Sequence, residues 1–273
     1  MQLLAPALLA IAYFARVRTL RRRGTPVARW RQVMFATGLV LLAVSVAPPL
    51  EELAEEDFFF AHMLQHVLLG DLAPLALVLG VTGPILRPLL AVHAISRLRV
   101  LAHPLVALPI WAVSLYLWHV PALYEGALEW SALHAIEHIA FFTAGVLMWA
   151  AVIEVLPGPE WFGTGWKFGY VAVVRLLETV LGNLFVWSGT VIYGAYDDGS
   201  ERFGIGPLQD QGLAGTIMMV EGSAVTIGAL AWLFLRLAQE GELRQRLLES
   251  GHDPRAVRRA VRYGRGEELE SVQ

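Results

Sequence analysis

Five histidines carry the chemistry this sequence can support. His62 and His66 are four residues apart, His134 and His138 are four residues apart, and His119 lies between the two pairs. Residues at i and i+4 share one helix face, so each pair presents two imidazoles one turn apart. Two such rings can ligate one metal ion or serve two ions a few ångströms apart. Neutral imidazole suits Zn, Cu, Fe and Ni, whereas Mg and Ca prefer oxygen. Hydrogen bonding of the rings to one another and to water is the alternative. His93, His103 and His252 are scattered and follow no such pattern.

The elements that deliver these rings must be membrane helices. Of 273 residues, 56% are hydrophobic, 16% are charged and none is Cys, with a net charge of −3. A soluble domain carries about 25% charged residues. The apolar residues come in runs long enough to cross a bilayer, which takes about 20 residues. This excludes a soluble enzyme, a nucleic-acid binder with a basic face and a disordered chain. The missing Cys excludes disulfides and thiolate metal sites.

The expected fold is therefore all-α, a polytopic bundle of about seven transmembrane helices over 3–17, 33–47, 58–79, 105–123, 133–155, 168–192 and 211–237. Residues 1–239 form this domain, and 240–273 form a polar, basic cytoplasmic tail lying on anionic lipid. The first apolar run is followed by its arginines rather than preceded by them, the wrong order for a signal peptide. It is expected to remain as the first span.

Charge sets the direction. All but Arg175 and Arg202 of the 21 Lys and Arg fall in alternate connections. Cytoplasmic loops hold the cationic excess, which places the amino terminus outside and the carboxyl tail inside. The outer loops then carry Glu51, Glu52, Glu55, Glu56, Asp57, Glu125, Glu129, Asp197, Asp198 and Glu201. Such an acidic mouth attracts cations; simple solvation of the loops is the alternative. At about 1.5 Å per helical residue, this topology puts His62, His66, His119, His134 and His138 in the same outer third of the membrane.

Other polar groups bear on that cluster. Asp210, Ala214, Met218 and Glu221 follow one face of the last span. Asp210 is a candidate metal ligand, a group orienting a histidine from behind, or a helix N-cap. Met63 and Met218 are soft donors for Cu(I) or packing residues. Glu137 is expected to project away from the face shared by His134 and His138, as a helix-exterior group or one that supports the ligands from behind rather than a ligand. Glu221 is a further group of that kind. Deeper in the bilayer, Asp71, Arg175 and Glu178 should be paired, as a structural clamp or as part of a proton path with Asn183 and Glu221.

The motifs together resemble a family. His62-Met63-Leu64-Gln65-His66 followed by Pro74, Leu117-Trp118-His119-Val120-Pro121 with Tyr124, Leu133-His134-x-x-x-His138 with Phe142 and Trp149, and Asp210-Gln211-x-x-Ala214-Gly215 with Met218 are similar to the signatures of the polytopic CtaG-type cytochrome c oxidase assembly proteins. The resemblance runs from the third span to the seventh. It implies a seven-span bacterial plasma-membrane protein that helps assemble the caa-type oxidase by delivering copper to an oxidase subunit. It also implies that His62, His66, His119, His134, His138 and Asp210 are the functional positions. The sequence departs where the family usually has Gln and Glu137 stands, and where a Trp-Val-Pro run is replaced by Met219-Val220-Glu221.

The residues themselves indicate only a transition metal, since imidazole and carboxylate suit zinc and iron as well as Cu(II). Three functions stand side by side. A metal-binding assembly factor needs an exchangeable site near the outer mouth. A membrane metalloenzyme needs an open coordination position beside a substrate cleft. A metal transporter needs polar residues continuing to the inner face, through Asp71, Glu178, Asn183 and Glu221.

Overall fold

The computed structural model describes residues 3–196, 203–266 and 269, and among these the chain is helical with no strand. Asp197, Asp198, Glu201 and Arg202 of the expected outer loop lie outside the described residues. The helices are α1 (Leu4–Arg22), α2 (Arg29–Ser45), α3 (Leu50–Asp57), α4 (Phe59–Gly80), α5 (Gly83–Leu90) and α6 (His93–Leu98), then α7 (Pro104–Trp118), α8 (Pro121–Glu129), α9 (Ser131–Ile153), α10 (Thr164–Trp187), α11 (Pro207–Glu249) and α12 (Pro254–Arg262).

Four of them, α4, α9, α10 and α11, are long and apolar enough to cross a membrane. Two bent pairs raise the number to six: α2 with α3, at 51°, and Ile95–Ala102 with α7, at 76°. The first of the seven expected segments is not among them, because α1 turns strongly basic from Arg16 onward and ends on Arg21 and Arg22. The expected fourth span is also shorter, ending at Trp118 rather than near 123. Pro121 explains this, since the residue before a proline avoids the helical region, and Val120 is extended (φ −68°, ψ 125°).

The histidine pairs meet because α4 and α9 cross at backbone contact. Pro74 has no N–H to offer the Gly70 carbonyl and its ring crowds that oxygen; the chain relaxes into a π-turn over Leu68–Leu72. Gly145 of α9 lies against this carbonyl: a Cβ there would stand 1.9 Å from the Gly70 oxygen. A second crossing joins α10 to α11, where a Cβ on Gly215 would lie 2.6 Å from the Gly182 oxygen. Small residues at helix crossings are the usual means of close packing where lipid removes the hydrophobic drive.

Charges hold the opposite, arginine-rich end. Glu154 caps α9 in the left-handed region (φ 56°) and receives Lys167 at 2.7 Å and two nitrogens of Arg262 at 2.9 and 2.5 Å. Arg262 also donates to the Pro159 and Phe162 carbonyls. The tail is thus folded back on the bundle: α11 passes residue 240 without a break, and α12 returns to bind at Glu154.

Two outcomes follow from these contacts. Gly145→Ala should destabilise the bundle by about 1–3 kcal/mol, the usual cost of overpacking, seen as a lower unfolding temperature in detergent. Burial pushes the Glu154 carboxyl up, but hydrogen bonds from Arg262 and the charge of Lys167 outweigh it and hold it below its ordinary value. Docking energy from a carboxylate lowered in the folded state is present above its unfolded value and lost as pH falls through the folded one. Protease cleavage between α11 and α12 should therefore rise only below about pH 4, whereas Arg262→Ala, losing about 2 kcal/mol of charged hydrogen bonding, should be cleaved at neutral pH.

Candidate metal centre

The centre is built at the acidic end of α4, α7 and α9. His62 and His66 are one turn apart on α4 and both buried, with their Nε2 atoms 2.9 Å apart. His134 and His138 are one turn apart on α9, their ring centroids separated by 4.1 Å. The two pairs face each other, with His62 to His134 at 5.6 Å and His66 to His138 at 5.8 Å between centroids. His119 stands 6.3 Å from His66. All five imidazoles are thus gathered in one cluster.

Three rings are held by the nitrogen that points away from the centre. His62 Nδ1 donates toward the Ala54 carbonyl (3.2 Å) and the Tyr196 hydroxyl (2.9 Å). Tyr196 in turn donates to Ala54 (3.1 Å) and pairs with the Tyr124 hydroxyl at 2.8 Å. Burial pushes the Tyr196 phenol above its ordinary value, so it stays a protonated donor. His134 Nδ1 lies 2.9 Å from the half-exposed Glu55 carboxylate. His119 closes α7: no longer inside a helix, it donates from Nδ1 to the Leu115 carbonyl at 2.6 Å, an oxygen that the ending helix leaves free. Tyr193 binds the His119 carbonyl at 2.7 Å. In each case the proton sits on Nδ1 and the lone pair of Nε2 faces inward, the way a neighbouring hydrogen bond fixes the tautomer of a metal-binding imidazole.

Glu137 is part of this centre, contrary to the expectation that it points away. It is 0% exposed, and its carboxylate lies 3.7 Å from His66 Nε2. A residue three positions after His134 is only about 60° around the helix from it, so both face α4. His62, His66 and Glu137 each offer a ligand atom within 4.8 Å of the others, and all three are buried. Among the described residues, neither Glu137 oxygen has a hydrogen-bond donor, and His66 Nδ1, His134 Nε2 and His138 Nε2 also lack partners.

Asp210 does something else. Its two oxygens accept the backbone N–H groups of Phe59 and Phe60, each at 2.9 Å. It caps the first turn of α4, not its own helix, and so fixes where His62 and His66 begin. Gln65, between those histidines, donates to the Ser45 carbonyl at the end of α2 (2.7 Å). Gln211, next to Asp210, ties Phe185, Thr190 and Ile192 together. Asp210, Ala214 and Met218 form a buried face of α11.

The deeper polar groups form a separate set. Trp149 donates to Asp71. Arg175 reaches Glu178 at 3.9 Å and donates to the Met219 carbonyl and the Ser223 hydroxyl, at 3.0 and 2.8 Å. Asp71, Glu178 and Glu221 line a cavity of about 60 Å³ that they share with Met63, His66, His119 and Met218. Tyr193, Tyr196 and Glu55 were not legible as parts of the centre; the Tyr193-x-x-Tyr196 spacing in a loop was the one signal available.

Known proteins extend the picture. Residues 11–240 match the sequence profile of the family described as cytochrome c oxidase caa3 assembly factor (Caa3_CtaG). The chain is 28% identical over 204 residues to uncharacterized proteins of Mycobacterium bovis and Mycobacterium tuberculosis, matches that cover 68% of this chain and 31% of each relative. An uncharacterized protein of Mycobacterium leprae is 26% identical over 191 residues, covering 63% of this chain and 28% of the relative. The chain therefore spans about a third of the length of the curated relatives it matches. No solved structure matches it. All the motif residues of the histidine centre fall inside the matched region, and the chain, a multi-pass protein of the bacterial plasma membrane, belongs to the cytochrome c oxidase caa3 assembly factor family.

Proposed function

We propose that this protein holds a transition-metal ion, copper, at the group formed by His62, His66 and Glu137 and passes it to a cytochrome c oxidase subunit during assembly. The observation that carries this is the buried triad itself, with two imidazole nitrogens and a carboxyl oxygen converging within 4.8 Å. A fully buried carboxyl group with no hydrogen-bond donor against its oxygens leaves a polar demand unmet, which costs about 1–3 kcal/mol. A cation in the triad would remove that cost and occupy the polar atoms that otherwise have no partner.

Two imidazoles and a carboxylate suit Cu(II), Zn and Fe; copper enters through the family. His134 and His138 stand on the facing helix as further ligands. His119 closes the cluster on its third side, and Asp210 serves as the cap that sets the register of α4. Glu55, at the surface and bonded to His134, connects the acidic α3 to the buried triad. Arginine placement puts this end outside, where an oxidase subunit would receive the ion.

The bond from His134 to the half-exposed Glu55 lies between the cluster and the surface, which favours transfer over catalysis. Full-length protein in detergent should bind metal stoichiometrically by inductively coupled plasma mass spectrometry, and His66→Ala with His138→Ala should abolish it. Well-folded wild type that takes up no metal after loading would sink the proposal. A deletion strain should accumulate oxidase lacking copper.

Two variants refine the ligand set. Glu137→Gln keeps the shape of the side chain but cannot supply an anionic ligand, so it should lose the stabilisation that bound metal adds. Asp210→Ala should cost about 1–2 kcal/mol as a lost helix cap, with Asp210→Asn costing less. Metal uptake by the folded Asp210→Asn protein should persist; its loss would return Asp210 to the ligands.

A further inference from the structure

His119 and Met63 make a contact that hydrogen bonding does not explain. His119 donates from Nδ1 to the Leu115 carbonyl at 2.6 Å, which leaves a lone pair on Nε2. That nitrogen faces the Met63 sulfur at 3.5 Å. A thioether has only lone pairs to offer, so no hydrogen lies between the two atoms. Both side chains are buried, Met63 at 1% exposure and His119 at 7%. Two electron-pair donors therefore lie in van der Waals contact away from water.

The spacing fits a shared ion. Nitrogen at about 2.0 Å and sulfur at about 2.3 Å from one tetrahedral cation lie about 3.5 Å apart. The space beside them is also suited to one. Met63, His119, Met218 and His66 line the cavity of about 60 Å³, several times the 10–15 Å³ or so that a single water needs.

We propose that Met63 and His119, with Met218 beside them, form a second metal subsite that takes a soft monovalent cation, Cu(I), next to the histidine–carboxylate triad. Thioether sulfur selects Cu(I), whereas imidazole with carboxylate suits divalent ions. The two donor sets thus rank metals differently although the His66 and His119 rings are only 6.3 Å apart. The subsite presupposes, for its purpose, that the protein handles a transition metal as proposed above; its geometry does not depend on the triad.

X-ray absorption at the copper edge tests it on full-length protein loaded with Cu(I) under anaerobic, reducing conditions. Wild type should show sulfur at about 2.3 Å from copper. Met63→Leu combined with Met218→Leu, a near volume-conserving change, should lose that sulfur while zinc uptake at the triad is retained. Selenomethionine-labelled protein, which needs no substitution, should show a copper–selenium interaction at the selenium edge. Copper surrounded by nitrogen and oxygen alone in wild type, or sulfur retained in the double variant, overturns the subsite. The His62→Ala, His66→Ala protein separates the two proposals: zinc uptake should vanish while the copper–sulfur signal remains. If wild type takes up no zinc but shows the copper–sulfur signal, the triad falls and the subsite stands.

Discussion

An imidazole sunk into a hydrocarbon layer must satisfy both of its nitrogens, and much of this molecule follows from that requirement. A polar group buried without a partner costs roughly 1–3 kcal/mol, and five rings are gathered here. The protein meets part of the demand itself: in three of the rings, Ala54 with Tyr196, Leu115 and Glu55 each take one Nδ1 proton. The inward nitrogens are left to one another and to whatever enters the space between them. Fixing the outer nitrogen also removes the rotational freedom of the ring, so the inner lone pairs are aimed before any ion arrives. Loops contribute as much as spans to this end. Tyr193 and Tyr196 come from the connection between α10 and α11, Glu55 from α3, and the Leu115 carbonyl is available because Pro121 stops α7.

Aimed rings meet only if their helices approach closely, and here the constraint is backbone on backbone. Gly145 against the Gly70 carbonyl sets the distance between α4 and α9 about one turn below His66 and two below His138. Pro74 makes that contact by displacing the carbonyl into a π-turn. Asp210 then fixes the other end of α4 by capping Phe59 and Phe60 from α11. A helix pinned at its first turn and again three turns later has little freedom to rotate, which is what a pair of ligands at i and i+4 requires.

Pairing and convergence of the histidines were legible in the sequence because they follow from helical periodicity and from the alternating direction of successive helices. The all-helical membrane fold was legible from composition alone. What could not be read depends on contacts between distant segments. Glu137 lies about 60° from the His134–His138 stripe, a direction that also faces α4, and only the packing partner decides which direction is buried. Asp210 carries the features of an N-cap, but its own helix start gives no hint that it serves α4, about 150 residues away. The tail was expected on lipid because its arginines look uniform in sequence. Arg262 differs from the rest only in what it reaches, a glutamate 108 residues earlier.

Buried charge is distributed unevenly along the molecule, and the contrast bears on function. At the arginine-rich end, Glu154 is surrounded by Lys167, Arg262 and, at 3.8 Å, Arg236; the protein supplies all of its counter-charge, and the contact is structural. At the acidic end, Glu137 is just as deeply enclosed, lies 3.7 Å from the His66 imidazole and has no Lys or Arg ion pair among the described residues. A fold able to surround one carboxylate with three cations leaves the other without one. Because a buried carboxyl group without a hydrogen-bond partner weakens the folded state, a cation supplied from outside would relieve a cost that the same ligands do not carry in water. It would also be released at a cost that a partner site with more or softer ligands can meet. Glu154 is therefore satisfied within the protein, whereas the Glu137 oxygens find no hydrogen-bond donor among the described residues.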